Sequence, residues 1–132
     1  MKIDKIGNLV GNTPMIKIKI KFDNEIKNIY AKLEYYNLTG SIKDRVAYAI
    51  LKEAISSGKL SPHTPIIEAT SGNTGISLAC MCLMLSLKCI IVMSKNVSEE
   101  RKTEIIAWYH KALDLDANAI DNYPQELEKY LW

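Results

Sequence analysis

Residues 66–93 read IIEATSGNTGISLACMCLMLSLKCIIVM, and this stretch decides the fold. Ile66-Ile67-Glu68 is a short strand, Thr70 to Gly75 a glycine-containing loop, Ile76 to Leu87 an uncharged run of helical length, and Cys89 to Met93 a second apolar strand. Strand, helix and strand at this spacing form a βαβ unit, whose crossover is right-handed in nearly all cases and whose strands run parallel. The expected class is α/β.

Upstream, Ile16, Ile18 and Ile20 alternate with Lys17, Lys19 and Lys21, the period-two pattern of a strand with one dry and one wet face. Asp23-Asn24 supplies turn chemistry, and Ile29, Ala31, Leu33 and Tyr35 then alternate with Lys32 and Glu34, so residues 15–35 read as an antiparallel hairpin. Asn37 to Ser41 is turn-rich. It leads into apolar residues at helical spacing, Val46, Ala49, Ile50, Ala54 and Ile55, which predict a helix over 42–57. Ser41 with Asp44 has the form of a capping box, and Gly58 is a natural stop. Downstream, Ser98 can cap a helix that opens on Glu99 and Glu100 and extends to about Lys111. Beyond it, Leu113 and Leu115 alternate with Asp114 and Asp116, and a short helix can follow Pro124.

Composition narrows the function. The 132 residues are 48% hydrophobic and 24% charged, as expected of one globular unit and not of a disordered or fibrous chain. Lys and Arg total 17 against 15 Asp and Glu, a net charge of +2, and Arg45 and Arg101 are the only arginines. Nucleic acid is therefore disfavoured as a partner, because its readout shows as a basic, Arg-rich stripe. Cys80, Cys82 and Cys89 are odd in number and sit in apolar sequence, which predicts reduced thiols and a cytoplasmic location. Cys80 and Cys82, two apart, face different sides of a helix, which speaks against a shared metal, and His63 and His110 have no ligand partners at useful spacing. The run Ile76 to Leu87 is too short to span a bilayer, and the charged start is not followed by the apolar core of a leader. Trp108 and Tyr109 read as core or interface, and the Met and Cys residues between 80 and 84 as core filling.

Two stretches carry chemistry. Thr70-Ser71-Gly72-Asn73-Thr74-Gly75 lies between a strand and a helix, where backbone N–H groups, the positive helix end and four polar side chains converge on one spot. Phosphate or carboxylate would suit it equally, and so would the plain reading of a well-made strand-to-helix turn. It is neither a dinucleotide fingerprint nor a Walker loop. Gly40-Ser41-Ile42-Lys43-Asp44-Arg45 places a lysine in the first turn of a helix, the end at which the dipole disfavours an ammonium. Only a neutral amine attacks a carbonyl, so Lys43 is a candidate Schiff-base lysine, although most lysines at helix starts are simply solvated. Asp44 and Arg45 read as structural, one for the cap and one for packing or a salt bridge.

Taken in order, IGNLVGNTPM at 6–15, AKLE at 31–34, GSIKDR at 40–45 and EATSGNTG at 68–75 resemble the cysteine synthase (O-acetylserine sulfhydrylase) family of fold type II pyridoxal-phosphate enzymes. The likeness covers about residues 6–106. It implies a three-layer α/β architecture around a parallel sheet, of the tryptophan synthase β-subunit kind. Residues 1–36 would supply N-terminal strands of the large domain and 37–132 the small, mobile domain, with an atypical tail from about 107. The resemblance also implies that Lys43 holds pyridoxal 5'-phosphate as a Schiff base and later acts as the acid–base group at Cα, and that Asn73 bonds the cofactor's phenolic oxygen. Thr70, Ser71, Gly72, Asn73 and Thr74 would hold the substrate's α-carboxylate. The implied reaction is β-replacement, a transferase or lyase chemistry making L-cysteine from O-acetylserine and sulfide.

Related identities are a cystathionine β-synthase or a diaminopropionate-type synthase, and a non-catalytic alternative is a module that binds small carboxylates or a partner. Family members are usually homodimers, and some bind serine acetyltransferase. They also extend well past this length. Ala107-Trp108-Tyr109-His110 departs from the family pattern, and nothing in 107–132 matches the glycine- and threonine-rich loop that holds the cofactor phosphate. The resemblance therefore implies an N-terminal portion of such an enzyme, with a strand edge and an apolar face left uncovered.

Overall fold

The structure is a computed structural model that describes residues 2–61, 63–103 and 105–107. A short helix α1 (Lys2–Gly7) is followed by strands β1 (Met15–Phe22) and β2 (Glu25–Lys32), a 3-10 turn at Glu34–Tyr36, and helix α2 (Lys43–Ser56). Strand β3 (Ile66–Ala69), helix α3 (Asn73–Met84) and strand β4 (Cys89–Val92) complete the series, and residues 99–103 and 105–107 are again helical.

The expected βαβ unit is present. β3 pairs with β4 in parallel, Ile66 opposite Cys89 and Ala69 opposite Val92, with α3 as the crossover. α3 begins at Asn73, three residues before the uncharged run suggests, so Asn73, Thr74 and Gly75 form its first turn and shorten the loop. The physical reason is that Gly72 takes the extended backbone of a cap and Gly75 N–H already bonds Gly72 C=O at 2.9 Å. The helix ends in a Schellman closure: Ser86 takes a φ of 57°, Leu87 N–H donates to Cys82 C=O at 2.8 Å, and Ser86 N–H to Leu83 C=O at 2.8 Å.

β1 and β2 form a separate antiparallel pair, Met15 opposite Lys32 and Phe22 opposite Glu25. Asp23 and Asn24 both adopt positive φ, 50° and 61°, as a two-residue hairpin turn requires. The ladder ends at Lys32, with Leu33 N–H reaching Pro14 C=O. Glu34 and Tyr35 belong instead to the 3-10 turn, so the strand stops three residues before the alternation in the sequence does. The dry face is not buried either: Ile16, Ile18 and Ile29 are 43, 39 and 46% exposed.

The core lies between α1, α2 and α3, where Ile3, Ile6, Ala47, Leu51, Leu78 and Met81 are all at most 2% exposed. Burying each of the larger side chains contributes about 1.5–3 kcal/mol. Ile3 and Ile6 are core residues that the sequence reading missed, since α1 is too short to show a period. Cys80, Met81 and Cys82 fill the core as expected, and the three cysteines are thiols. The neighbouring Cys89, with burial adding, pushes the Cys82 thiol up, while Cys82 holds the Cys89 thiol below its usual range against the effect of burial. Among the described residues no His, Cys, Asp or Glu cluster could hold a metal, and no helix is long and apolar enough to cross a membrane. His63 is exposed. Trp108, Tyr109, His110, the helix end at Lys111, the 113–116 alternation and the helix after Pro124 lie outside the described residues.

Candidate functional site

The two chemistry-bearing stretches meet. The Ser41 hydroxyl accepts the Lys43 backbone N–H at 3.1 Å and the Asn73 carboxamide at 3.2 Å, joining the start of α2 to the start of α3 across 32 positions of sequence. Ser41 is buried, whereas Lys43 and Asn73 are exposed. Both stand in the first turn of a helix, where N–H groups have no preceding carbonyl to bond and the dipole is positive.

How α2 comes to start at Lys43 follows from its buried carboxylate. Asp44 is fully buried. Its Oδ2 accepts Thr39 N–H at 2.7 Å and its Oδ1 accepts the Thr39 hydroxyl at 2.6 Å. The expected capping box is thus corrected. Ser41 does accept from the helix start, but the Asp44 carboxylate turns to Thr39, because Gly40, at a φ of 81°, folds residues 37–41 back over it. A side chain at position 40 would be strained in that backbone. The Thr39 hydroxyl also lies 3.4 Å from the buried Ser77 hydroxyl, a second tie to α3.

Behind α2, Arg45 grips Glu34. Its Nε donates to Oε2 at 2.7 Å and one terminal nitrogen donates to Oε1 at 2.9 Å, the two-pronged geometry suited to a carboxylate. The same nitrogen reaches the Thr13 hydroxyl at 3.1 Å, and that hydroxyl donates to Glu34 at 2.7 Å. Asn37 Nδ2 donates to Glu34 Oε2 at 2.9 Å while its Oδ1 accepts Gly11 N–H at 2.7 Å, and Lys32 donates to Thr13 C=O. Arg45 first, then Thr13 and Asn37, hold the Glu34 carboxyl down to about 2. Arg45 is the salt-bridge residue its position suggested. Glu34, Thr13 and Asn37 were not read as site-building residues; their signal is the motifs at 6–15 and 31–34, which this network fastens to the helix that carries Lys43.

The 70–74 loop leaves the carboxyl end of β3, the edge at which open α/β sheets bind ligands. Thr70 N–H donates to Val92 C=O at 3.0 Å, and its hydroxyl accepts Gly72 N–H at 3.3 Å, so Thr70 shapes the loop. Ser71 is exposed, and a side chain at Gly72 would meet nothing within 4 Å, which leaves open room beside the α3 start. Gly75 is required for close approach: a Cβ there would stand 2.9 Å from the Thr70 methyl and 3.4 Å from Ile91. Chemically, the site presents an amine, a carboxamide, hydroxyls and open helix N–H groups. That set suits a carbonyl compound carrying negative charge and an amino-acid carboxylate, so the residues present fit part of a pyridoxal-phosphate site.

Comparisons with known proteins agree. Residues 6–118 match the family described as "Pyridoxal-phosphate dependent enzyme". Over 106 residues, or 80% of this chain, it is 49% identical to cysteine synthase B of Campylobacter jejuni and 40% identical to cysteine synthase of Staphylococcus aureus. It spans about a third of the length of these curated relatives, 34% in each case. A hydrogen sulfide-producing enzyme from Fusobacterium nucleatum superposes with a TM-score of 0.77 at 37% identity, over 91% of this chain and 41% of that one.

Proposed function

The chain belongs to the pyridoxal-phosphate dependent enzyme family, and from that premise we propose that it carries the lysine and amino-acid side of a cysteine synthase-like β-replacement site. In this reaction O-acetyl-L-serine and sulfide give L-cysteine and acetate: the Cβ–O bond breaks and a Cβ–S bond forms. One observation supports the reading: the Ser41 hydroxyl accepts both the Lys43 backbone N–H and the Asn73 carboxamide, tying the starts of α2 and α3 together.

Lys43 is the residue that would hold the cofactor's aldehyde, and Asn73 its ring oxygen. When bound, pyridoxal phosphate supplies the electron sink that acidifies the proton on the amino acid's Cα. The Lys43 amine, on the first helical residue of α2, is the group that takes and returns that proton. Thr70, Ser71, Gly72, Asn73 and Thr74 receive the α-carboxylate through hydroxyls and the open N–H groups of α3. Substrate choice between O-acetylserine and the substrates of cystathionine β-synthase or a diaminopropionate-type synthase rests with parts of the fold beyond these elements. The implied homodimer and serine acetyltransferase encounter belong in this reading to the completed fold.

The test is to add pyridoxal phosphate to the purified 132-residue chain, reduce with borohydride and map the modified lysines by peptide mass spectrometry. Labelling concentrated on Lys43, and lost in Lys43→Ala without new labelling elsewhere, is the expected result. Labelling scattered over surface lysines would defeat the proposal and leave a carboxylate-binding module.

A further inference from the structure

The three cysteines take no part in the candidate site, and the packing of α3 on β4 brings two of them together. At one end of that packing stands Gly75, where a Cβ would lie 3.4 Å from the Ile91 side chain. Cys82 is seven residues further on, about two helical turns, and so lies on the same side of α3 as Gly75. Cys89 is two residues before Ile91 and so lies on the same face of β4. As the crossover between parallel strands, α3 runs back against the direction of β4, so a step forward along the helix matches a step backward along the strand. Cys82 is thereby set opposite Cys89. The turn between them closes tightly, Leu87 N–H donating to Cys82 C=O at 2.8 Å only two residues before Cys89. Cys82 is fully buried in the core, and Cys89 packs against the same cluster while keeping part of its surface in solvent. The acidities agree with this contact: Cys82 holds the Cys89 thiol below its usual range against the opposing effects of burial and the Glu68 carboxylate. Cys80, two residues before Cys82, points about 200° away around the helix.

We infer that Cys82 and Cys89 form a redox pair, in which Cys89 is the sulfur oxidised by a hydroperoxide and Cys82 the sulfur that resolves it as an intramolecular disulfide. The inference does not rest on the proposed reaction. Two features assign the roles. Cys89 has both the solvent access and the larger thiolate fraction that a first attack requires, and Cys82 has neither but adjoins it. In the first step the Cys89 sulfur attacks one peroxide oxygen, the O–O bond breaks, and the chain keeps a sulfenic acid while water leaves. In the second the Cys82 sulfur attacks the Cys89 sulfur, the S–O bond breaks, and the departing hydroxide takes the Cys82 proton as a second water. Two thiols and one hydrogen peroxide thus give one disulfide and two waters. The bond joins the last turn of α3 to the first residue of β4, at the far end of the helix from Asn73.

The test is to treat the full 132-residue chain with hydrogen peroxide, block the remaining thiols with N-ethylmaleimide in denaturant and map the cysteines by tandem mass spectrometry without reduction. Lys88 separates the pair, so cleavage after lysine puts Cys89 on a peptide of its own, and fragmentation tells Cys82 from Cys80. The expected product is a monomer lighter by two hydrogens, cross-linked from Cys82 to Cys89, with the maleimide on Cys80 and the original mass restored by dithiothreitol. In Cys82→Ala the cross-link is lost and dimedone captures a sulfenic acid on Cys89; Cys89→Ala loses both signals, and Cys80→Ala keeps the cross-link. The unsubstituted chain decides the proposal even where a variant at the buried Cys82 does not fold. Four results from it would overturn the assignment: a cross-link that uses Cys80, a cross-link between two chains, a sulfenic acid on Cys89 that persists beside an alkylated Cys82, or Cys89 recovered unoxidised.

Discussion

Helix α3 and the β1–β2 hairpin are both rich in apolar residues and end in opposite environments. From Gly75 to Leu83 every residue of α3 is buried, while the hairpin keeps its isoleucines half in water. The lesson is that an apolar pattern states a demand for cover, and only the neighbouring chain decides whether the demand is met. α3 is met by α1, α2, β4 and Ile105, whereas among the described residues only Ile20 and Ala31 of the hairpin strands are partly buried.

The largest expected effect separates the two regions by energy. Met81→Ala, at a fully buried position, should cost about 2–5 kcal/mol, whereas Ile18→Ala should change stability by no more than about 0.5 kcal/mol. Chemical denaturation of both variants measures the gap, and equal losses would mean that the hairpin is packed. Next comes the seam between loop and helix. Gly75→Ala places a methyl against Thr70 and should destabilise by about 1–3 kcal/mol, with amide shifts at 70–72 in NMR spectra.

A smaller effect is electrostatic and lies where the two regions join. Glu34 is held from the usual 4.5 down to about 2, so its contribution to stability is fully present above 4.5 and is lost as pH falls through 2. In Glu34→Gln the decline of stability between those two values should flatten. An unchanged acid profile would show that the Arg45 grip does not fasten the hairpin base to α2.

Legibility followed the same division. The βαβ unit, the hairpin turn at Asp23-Asn24 and the stop at Gly58 were readable because each depends on neighbours in sequence. Lys43 and the 70–74 loop were readable as chemistry, and their convergence rested on the family resemblance. What the sequence could not display was long-range: α1 as part of the core through Ile3 and Ile6, Asp44 turned to Thr39, and the Glu34 network spanning residues 11 to 45. The true start of α3 was hidden because Gly72 and Gly75 read equally well as loop residues. Alternation alone predicted a dry face for the hairpin, while an uncovered apolar face was expected only through the family resemblance; Ile16, Ile18 and Ile29 are exposed.

The central claim is that one region is closely packed and holds the candidate site, while the strands of the other are exposed. Residue-resolved amide hydrogen exchange on the 132-residue chain alone tests it most directly. The account predicts slow exchange through α3, β3 and β4 and through the buried turns of α2, with fast exchange along β1 and β2. Hairpin amides as slow as those of α3 would contradict it.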